Sequence, residues 1–275
     1  MRNARHLRRL FAGLVFAVVG ASGAGAAELY LGLGTGFSSG TGDGTGSLDL
    51  VAVAGSGEDS DASPFYGGVF GVAVPLSDVI PWSMQVPSFD VPYWPGRAVH
   101  FSGSDDFRFP GWRTQFEIEV MAGRDYDLEI PTNSPIAPFF AEVGSTTFMA
   151  NARLDVPLHA PLNALFGRMP MLEPLTLYLG GGVGAGWNEV SAKGPANLGS
   201  ETTWDFAYQI QSGFGYAVTD TTHLSLGYRY LDLGNLETEL SGGPNQGTFD
   251  VDVTAHEAVL AVVFHFYHVP FFGRE

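Results

Sequence analysis

The chain has 275 residues, no cysteine, and a formal charge of −16 from 13 basic and 29 acidic side chains. Acidity of this degree excludes a nucleic-acid surface, which needs a basic one, and the missing cysteines exclude a small secreted scaffold built on disulfides. The length suits one large domain or two small ones.

Residues 1–27 read MRNARHLRRLFAGLVFAVVGASGAGAA. Four arginines (Arg2, Arg5, Arg8, Arg9) precede an apolar run from Leu10 to Gly20, and small residues follow up to Ala26 and Ala27. This is the layout of a secretory signal cleaved after about Ala26 or Ala27. An uncleaved anchor is disfavoured, because the run is shorter than the roughly 20 residues of a spanning helix.

From Glu28 onward the dominant signal is a period of two, which marks strands. ELYLGLGTGF, Glu28 to Phe37, and FYGGVFGVAVPL, Phe65 to Leu76, are glycine-rich strands with aromatic ends. Between them, Ser38 to Pro64 is read as a loop carrying Asp43, Asp49, Glu58, Asp59 and Asp61. The spacing of these acids matches no dedicated calcium loop, so a solvated acidic loop is expected. A long insert, 77–111, separates the second and third strands and holds Pro81, Pro87, Pro92, Pro95 and Pro110.

The third strand, WRTQFEIEVMAG, sets Trp112, Phe116, Ile118 and Val120 against Arg113, Gln115, Glu117 and Glu119. The fourth sets Phe148, Ala150, Ala152, Leu154 and Val156 against Thr147, Asn151, Arg153 and Asp155. HAPLNALFGRMPMLEP, His159 to Pro174, reads as an interfacial piece with a short helix. In the fifth strand Leu175, Leu177, Leu179, Val183, Ala185 and Trp187 oppose Thr176, Tyr178 and glycines at 180, 182, 184 and 186. The sixth and seventh form a hairpin around TDTT. Trp204, Phe206, Tyr208, Ile210, Phe214 and Tyr216 oppose Asp205, Gln209 and Gln211, and then Leu224, Leu226, Tyr228 and Tyr230 oppose Ser225, Gly227 and Arg229. The eighth, Val253 to Phe266, sets Leu260, Val262, Phe264 and Phe266 against Glu257 and His265.

Strands of about 10 residues whose apolar face is bounded by Trp, Tyr and Phe, behind an export signal, are the pattern of a transmembrane barrel. Lipid offers no hydrogen bonds to an open edge, so the sheet must close on itself. The expected fold is therefore all-β, a closed antiparallel up-and-down barrel of eight strands over residues 28–275. A ten-stranded rival would use RAVHFSG, Arg97 to Gly103. The polar faces then point inward and assemble Arg113, Glu117, Glu119, Asn151, Arg153, Asp155, Tyr178, Gln209, Gln211, Arg229, Glu257 and His265. Buried charges are costly unless paired, so Arg153 and Arg229 are expected to pair with Glu117, Glu119 and Glu257. This network is either structural or a gate. An eight-stranded interior is only wide enough for side chains to fill, which favours the structural role.

LSLGYRYLDLG near the C-terminal hairpin, LYLGLGTGF at the start and the late pair Phe264 and Phe266 resemble the eight-stranded outer-membrane barrels of the opacity-protein and outer membrane protein A type. The resemblance implies a chain that starts in the periplasm, short inner turns, a terminal aromatic read by the barrel-assembly machinery, and long outer loops. These loops would be Ser38 to Pro64, Arg124 to Gly144, Ser191 to Thr202 and Leu240 to Asp252. The assembly aromatic is Phe266 or lies in the pair Phe271 and Phe272. The insert, with Trp82, Phe89, Tyr93 and Trp94, is either an aromatic belt at the inner rim or a plug.

The expected function is an outer-membrane barrel with a structural or surface-interaction role and a largely filled lumen. The alternatives are a narrow porin for small solutes and a lipid-modifying barrel enzyme. No catalytic, cofactor or metal set is assigned. Ser225 with His223, and the lipid-facing His256, form no recognisable catalytic motif, and GGGVGAG lacks the ending of a phosphate loop. The expected partners are outer-membrane lipids, the assembly machinery during insertion and an unidentified surface ligand.

Overall fold

The computed structural model describes residues 27–48, 53–79, 84–86, 89–94, 97–101, 104–107, 111–131, 138–159, 170–193, 198–242 and 245–266. The expected signal, the pair Phe271 and Phe272 and most of His159 to Pro174 lie outside them.

Eight long antiparallel strands close a barrel in the order β1-β12-β11-β10-β9-β8-β7-β2. They are β1 (Glu28–Leu48), β2 (Val53–Pro75), β7 (Arg113–Ile130), β8 (Phe139–Pro157), β9 (Leu175–Lys193), β10 (Leu198–Ala217), β11 (Thr222–Gly242) and β12 (Asn245–Phe266). Four short strands of the insert stand apart in two small sheets. β3 (Met84–Val86) pairs with β6 (Ser104–Phe107), and β4 (Phe89–Trp94) pairs with β5 (Arg97–Phe101). The Arg97 segment thus joins its own hairpin and not the barrel wall, which leaves the barrel with eight strands. The side chains of the insert, and with them the belt and plug readings, lie outside the described residues.

The wall strands run 18 to 23 residues, about twice the 9–11 that a tilted strand needs to cross a bilayer. This corrects the outer loops expected from the sequence. Among the described residues, Ser38 to Leu48, Arg124 to Ile130, Ser191 to Lys193 and Asn245 to Asp252 are continuations of strands. The barrel therefore has two halves. In the half that holds Glu28 and Phe266, large apolar side chains such as Leu33, Phe70, Leu179, Phe206, Ile210, Phe214, Leu226 and Leu260 face outward. Tyr216 to Trp204 on β10 spans 12 steps, which at about 3.3 Å each and a tilt near 40° is about 30 Å, the thickness of a bilayer core.

In the other half, towards the hairpins, the polarity reverses. Tyr126, Leu128, Ile130, Phe139, Val143, Val190, Leu231, Leu233, Leu236, Leu240, Phe249, Val251 and Val253 form a buried apolar cluster inside. Asp125, Asp127, Glu129, Glu142, Glu189, Glu237, Glu239 and Asp252 are exposed outside. Two devices produce the reversal. On β8, β9 and β12 the facing stays constant and the residue types change: on β12, Glu257 and His265 face inward, and so do Phe249, Val251 and Val253. On β7 the residue pattern keeps its phase and the facing changes. Phe116, Ile118 and Val120 point out, yet Tyr126, Leu128 and Ile130 point in, because a bulge between Met121 and Arg124 adds one residue. Gly123 turns the corner at φ 88°, a conformation costly for a side chain. β11 repeats the device between Asp232 and Asn235, with Gly234 at φ 79°.

The wall also splits in this half. β2 pairs with β7 only from Tyr66 to Pro75, and β10 pairs with β11 from Tyr208 to Ala217 and then only at Leu198 with Ser241. The extension is thus two facing four-stranded sheets, β2-β1-β12-β11 and β7-β8-β9-β10, packed as a sandwich. Phe139 and Phe249 meet across it with ring centroids 6.0 Å apart. The inner face of β1 is glycine at 40, 42, 44 and 46, which lets the sheets close. A Cβ at Gly40 would sit 2.6 Å from the Tyr126 ring, and one at Gly46 2.8 Å from Phe139.

Candidate functional site

Beneath the apolar cluster the lumen is filled by a charged network. Glu257 accepts from two guanidiniums, with Oε1 2.5 Å from Arg124 Nε and Oε2 2.6 Å from Arg229 Nε. Arg229 also donates from Nη1 to Glu119 Oε1 at 2.6 Å. Arg229 and Glu257 are register partners on neighbouring strands, whereas the bonds from β7 to β11 and β12 cross the lumen. They staple opposite walls together. Gln209 Nε2 donates to Asn151 Oδ1 at 2.7 Å and to Glu119 at 3.2 Å, and Gln211 faces the same layer beside its register partner Arg229.

A second cluster lies nearer Glu28 and Phe266. Arg153 pairs with Asp155 at 3.0 Å and Glu117 at 3.3 Å, and donates to Gln115 at 2.6 Å. Its guanidinium lies 4.7 Å from the centre of the Tyr178 ring. Glycines 213 and 227 accommodate that ring, since a Cβ at Gly213 would lie 2.7 Å from Tyr178 Cζ. At the mouth, Arg113 pairs with Glu28, and His265 Nδ1 lies 3.5 Å from Glu28. At the other end Phe65 divides the lumen from the apolar cluster, with the Arg124 and Arg229 guanidiniums 5.0 and 5.3 Å from its ring centre. Just above, burial pushes the Tyr126 hydroxyl up to about 12, so it stays neutral while it shares a 2.5 Å hydrogen bond with Ser38.

The two seams of the sandwich differ. Along β2 and β7, backbone N–H groups of Asp125, Asp127 and Glu129 donate to Ser63 Oγ, Asp61 Oδ2 and Asp59 Oδ2 at 2.9, 3.0 and 2.7 Å. Asp59 and Asp61, expected in a solvated loop, thus stitch one edge to the other. Among the described residues no such bond crosses the seam between β10 and β11. A groove of about 690 Å³ opens there, lined by Glu201, Thr203 and Asp205 of β10, Asn235, Glu237, Thr238 and Glu239 of β11, and Thr248 and Asp250 of β12.

A model of the outer membrane protein beta-barrel domain matches residues 113–266, more than half of the chain. The chain belongs to this family. Its outward apolar half is therefore the part that meets the outer membrane. Uncharacterised proteins of Brucella abortus (strain 2308) and Brucella suis biovar 1 (strain 1330) are each 35% identical over 95 residues, which span 31% of this chain and 29% of each relative. Among solved structures, the chain is similar to OprG from Pseudomonas aeruginosa, at 12% identity with 89% of this chain and 98% of that one covered and a TM-score of 0.44. It is also similar to Neisserial surface protein A, at 13% identity, coverage of 87% and 99%, and a TM-score of 0.33. A further likeness is to the outer membrane protease OmpT of Escherichia coli, at 10% identity, coverage of 87% and 97%, and a TM-score of 0.40. All three concern the fold alone.

Within this family barrel, the inward residues read from the sequence fall into three groups. Glu119, Asn151, Gln209, Arg229 and Glu257 share the upper network, Glu117, Arg153 and Asp155 the lower one, and Arg113 belongs to the mouth. Sequence reading missed Arg124, Glu28 and Phe65. Arg124 begins a segment whose sequence is expected to form an outer loop. The one signal for it is Gly123, a residue suited to a bulge, followed by the alternation RDYDLEI.

Proposed function

We propose that the protein is a closed, non-conducting barrel that anchors a water-exposed β-sandwich to the outer membrane, with the sandwich as its interaction surface. The observation that supports this is the apolar cluster above Phe65. Two facing sheets with Tyr126, Leu128, Phe139, Phe249 and Leu236 bury an apolar core beyond the charged lumen, and the polar row beside it, Ser145, Asn188, Asp205 and Thr203, is hydrogen-bonded to itself. The lumen network is structural in this reading, holding the walls in register, and catalysis is no part of it. The chain is exported by a segment removed after about residue 27, Phe266 serves assembly, and the hairpin end faces outward, as in the barrels the sequence resembles.

The test is single-channel conductance of the mature protein refolded into a planar bilayer. Silence from protein of verified fold is expected. Steady discrete openings would overturn the closed-barrel reading in favour of a narrow porin, and would make Phe65, Arg124 and Arg229 the residues to examine as a gate.

A further inference from the structure

We infer that a slot on the outer face of β7, β8 and β9, where the sandwich meets the membrane half, binds the ammonium group of a zwitterionic lipid headgroup. The site needs only the position of the bilayer, and neither the closed lumen nor the interaction role of the sandwich. Three observations support it.

The first is a glycine without a structural task. Gly144 lies inside β8, between the outward residues Glu142 and Thr146. Its φ is not positive, so the backbone does not require glycine there. Packing does not require it either. A Cβ at Gly144 would have the Glu189 carbonyl oxygen, 3.9 Å away, as its nearest neighbour, whereas one at Gly40 would sit 2.6 Å from the Tyr126 ring. A glycine inside a strand weakens it, and often marks a place where a ligand comes close to the backbone. Here the missing side chain forms the floor of a cavity of about 420 Å³.

The second is the lining. Asp125 and Glu189 are the register partners of Gly144 on its two sides, so their Cα atoms stand two strand spacings apart, about 9.6 Å. Both are exposed, and among the described residues neither has an ion-pair partner, whereas Glu142 at the far rim is taken up by Lys193. A cation over Gly144 thus reaches a carboxylate on each side. Thr146 and its register partner Trp187, 48% exposed, close the slot towards the membrane, and an indole face attracts an ammonium group. Carboxylates alone would make only an acidic surface. The open glycine and the indole make a slot for one group.

The third is depth. Trp187 and Trp204 are register partners with stacked rings 6.2 Å apart, at the edge of the apolar span. The row of Asp125, Gly144 and Glu189 lies two residues further along the strands, about 5 Å beyond that edge at a tilt near 40°. This is the depth of the headgroup layer. The slot offers lipid phosphate no cation, since the Arg124 guanidinium turns inward to Glu257. A headgroup that carries an ammonium group beside its phosphate is the one whose charge matches.

The test is native mass spectrometry of the refolded full chain, released from detergent micelles doped equally with phosphatidylethanolamine, its N-acetylated form and phosphatidylglycerol. Phosphatidylethanolamine is expected to be retained at least about fivefold over either of the others, because it alone carries the ammonium group. Gly144→Val fills the slot with a residue that suits a strand, and should bring the three lipids to equal retention in protein of unchanged fold. That variant alters no charge, so it separates the slot from general repulsion of anionic lipids by the acidic surface. Asp125→Asn combined with Glu189→Gln should also abolish the preference. Equal retention by the unaltered chain would overturn the site, and so would a preference that survives Gly144→Val. Soluble ethanolamine in excess should displace the lipid; if it binds where no lipid preference exists, the slot belongs to a free amine and the headgroup assignment falls.

Discussion

Replacing Glu257 with alanine is expected to destabilise the barrel by about 3–5 kcal/mol, the cost of leaving buried charge without its partner. Two guanidiniums depend on this carboxylate. Arg124 would keep only Thr147 and the Met121 carbonyl, and Arg229 only Glu119. Glu119→Ala should be milder, since Arg229 would retain Glu257. The exposed pair of Lys193 and Glu142, both more than half accessible, is the control, and Lys193→Ala should leave stability unchanged because exposed pairs contribute little. The measurement is the urea midpoint in liposomes, followed by tryptophan fluorescence. A Glu257→Ala midpoint equal to that of the unaltered chain would mean that water, not the carboxylate, compensates the two arginines.

Deletion of one residue from β7 should be tolerated at the bulge and ruinous a few residues later. Removing Gly123 erases the extra residue between Met121 and Arg124, converts the ladder to a regular one, and leaves Tyr126, Leu128 and Ile130 facing inward. Removing Asp127 exchanges the faces beyond it. Leu128 and Ile130, now 2% and 0% exposed, would face water at about 1.5–3 kcal/mol each, and Glu129 would enter the apolar cluster. Proteinase K digestion of the refolded variants distinguishes the two, with the Asp127 deletion cleaved in the sandwich while its membrane half stays protected. Equal resistance of both variants would show that the extension does not depend on the facing of β7.

The membrane half was legible in the sequence because one physical rule decides it. Lipid demands an apolar face and the lumen tolerates a polar one, so the period of two in WRTQFEIEV or LSLGYRY assigns Glu117, Glu119 and Arg229 to the interior directly. The extension was not legible for two reasons. Its strands also alternate, as in RDYDLEI and FDVDV, but a membrane crossing is complete after about 10 residues, so the sequence reads these stretches as outer loops. Reading them as strands would still have placed β7 wrongly. Its apolar residues keep even numbers throughout, and only a bulge at Gly123, one glycine among 37, carries that face from lipid to core.

Arg124 shows the same limit at a single site. On strict alternation it would share the outward face of Val120, yet the bulge turns it inward, where Glu257 and Phe65 receive it. The Phe65 ring could be placed on a strand from sequence, but not at the boundary between charged lumen and apolar sandwich, because that boundary depends on where the ladder between β2 and β7 ends.

The reversal of polarity along the barrel is tested most directly by a cysteine scan, for which the cysteine-free chain is already suited. Residues 113–130 would be changed singly to cysteine, refolded into liposomes, and probed with a membrane-impermeant maleimide and, after spin labelling, by collision with lipid-dissolved oxygen. Positions 116, 118 and 120 should report lipid, positions 125, 127 and 129 should react with the maleimide, and 126, 128 and 130 should be shielded from both. Equal maleimide reaction at 125 through 130 would contradict the sandwich and return this segment to a solvated loop.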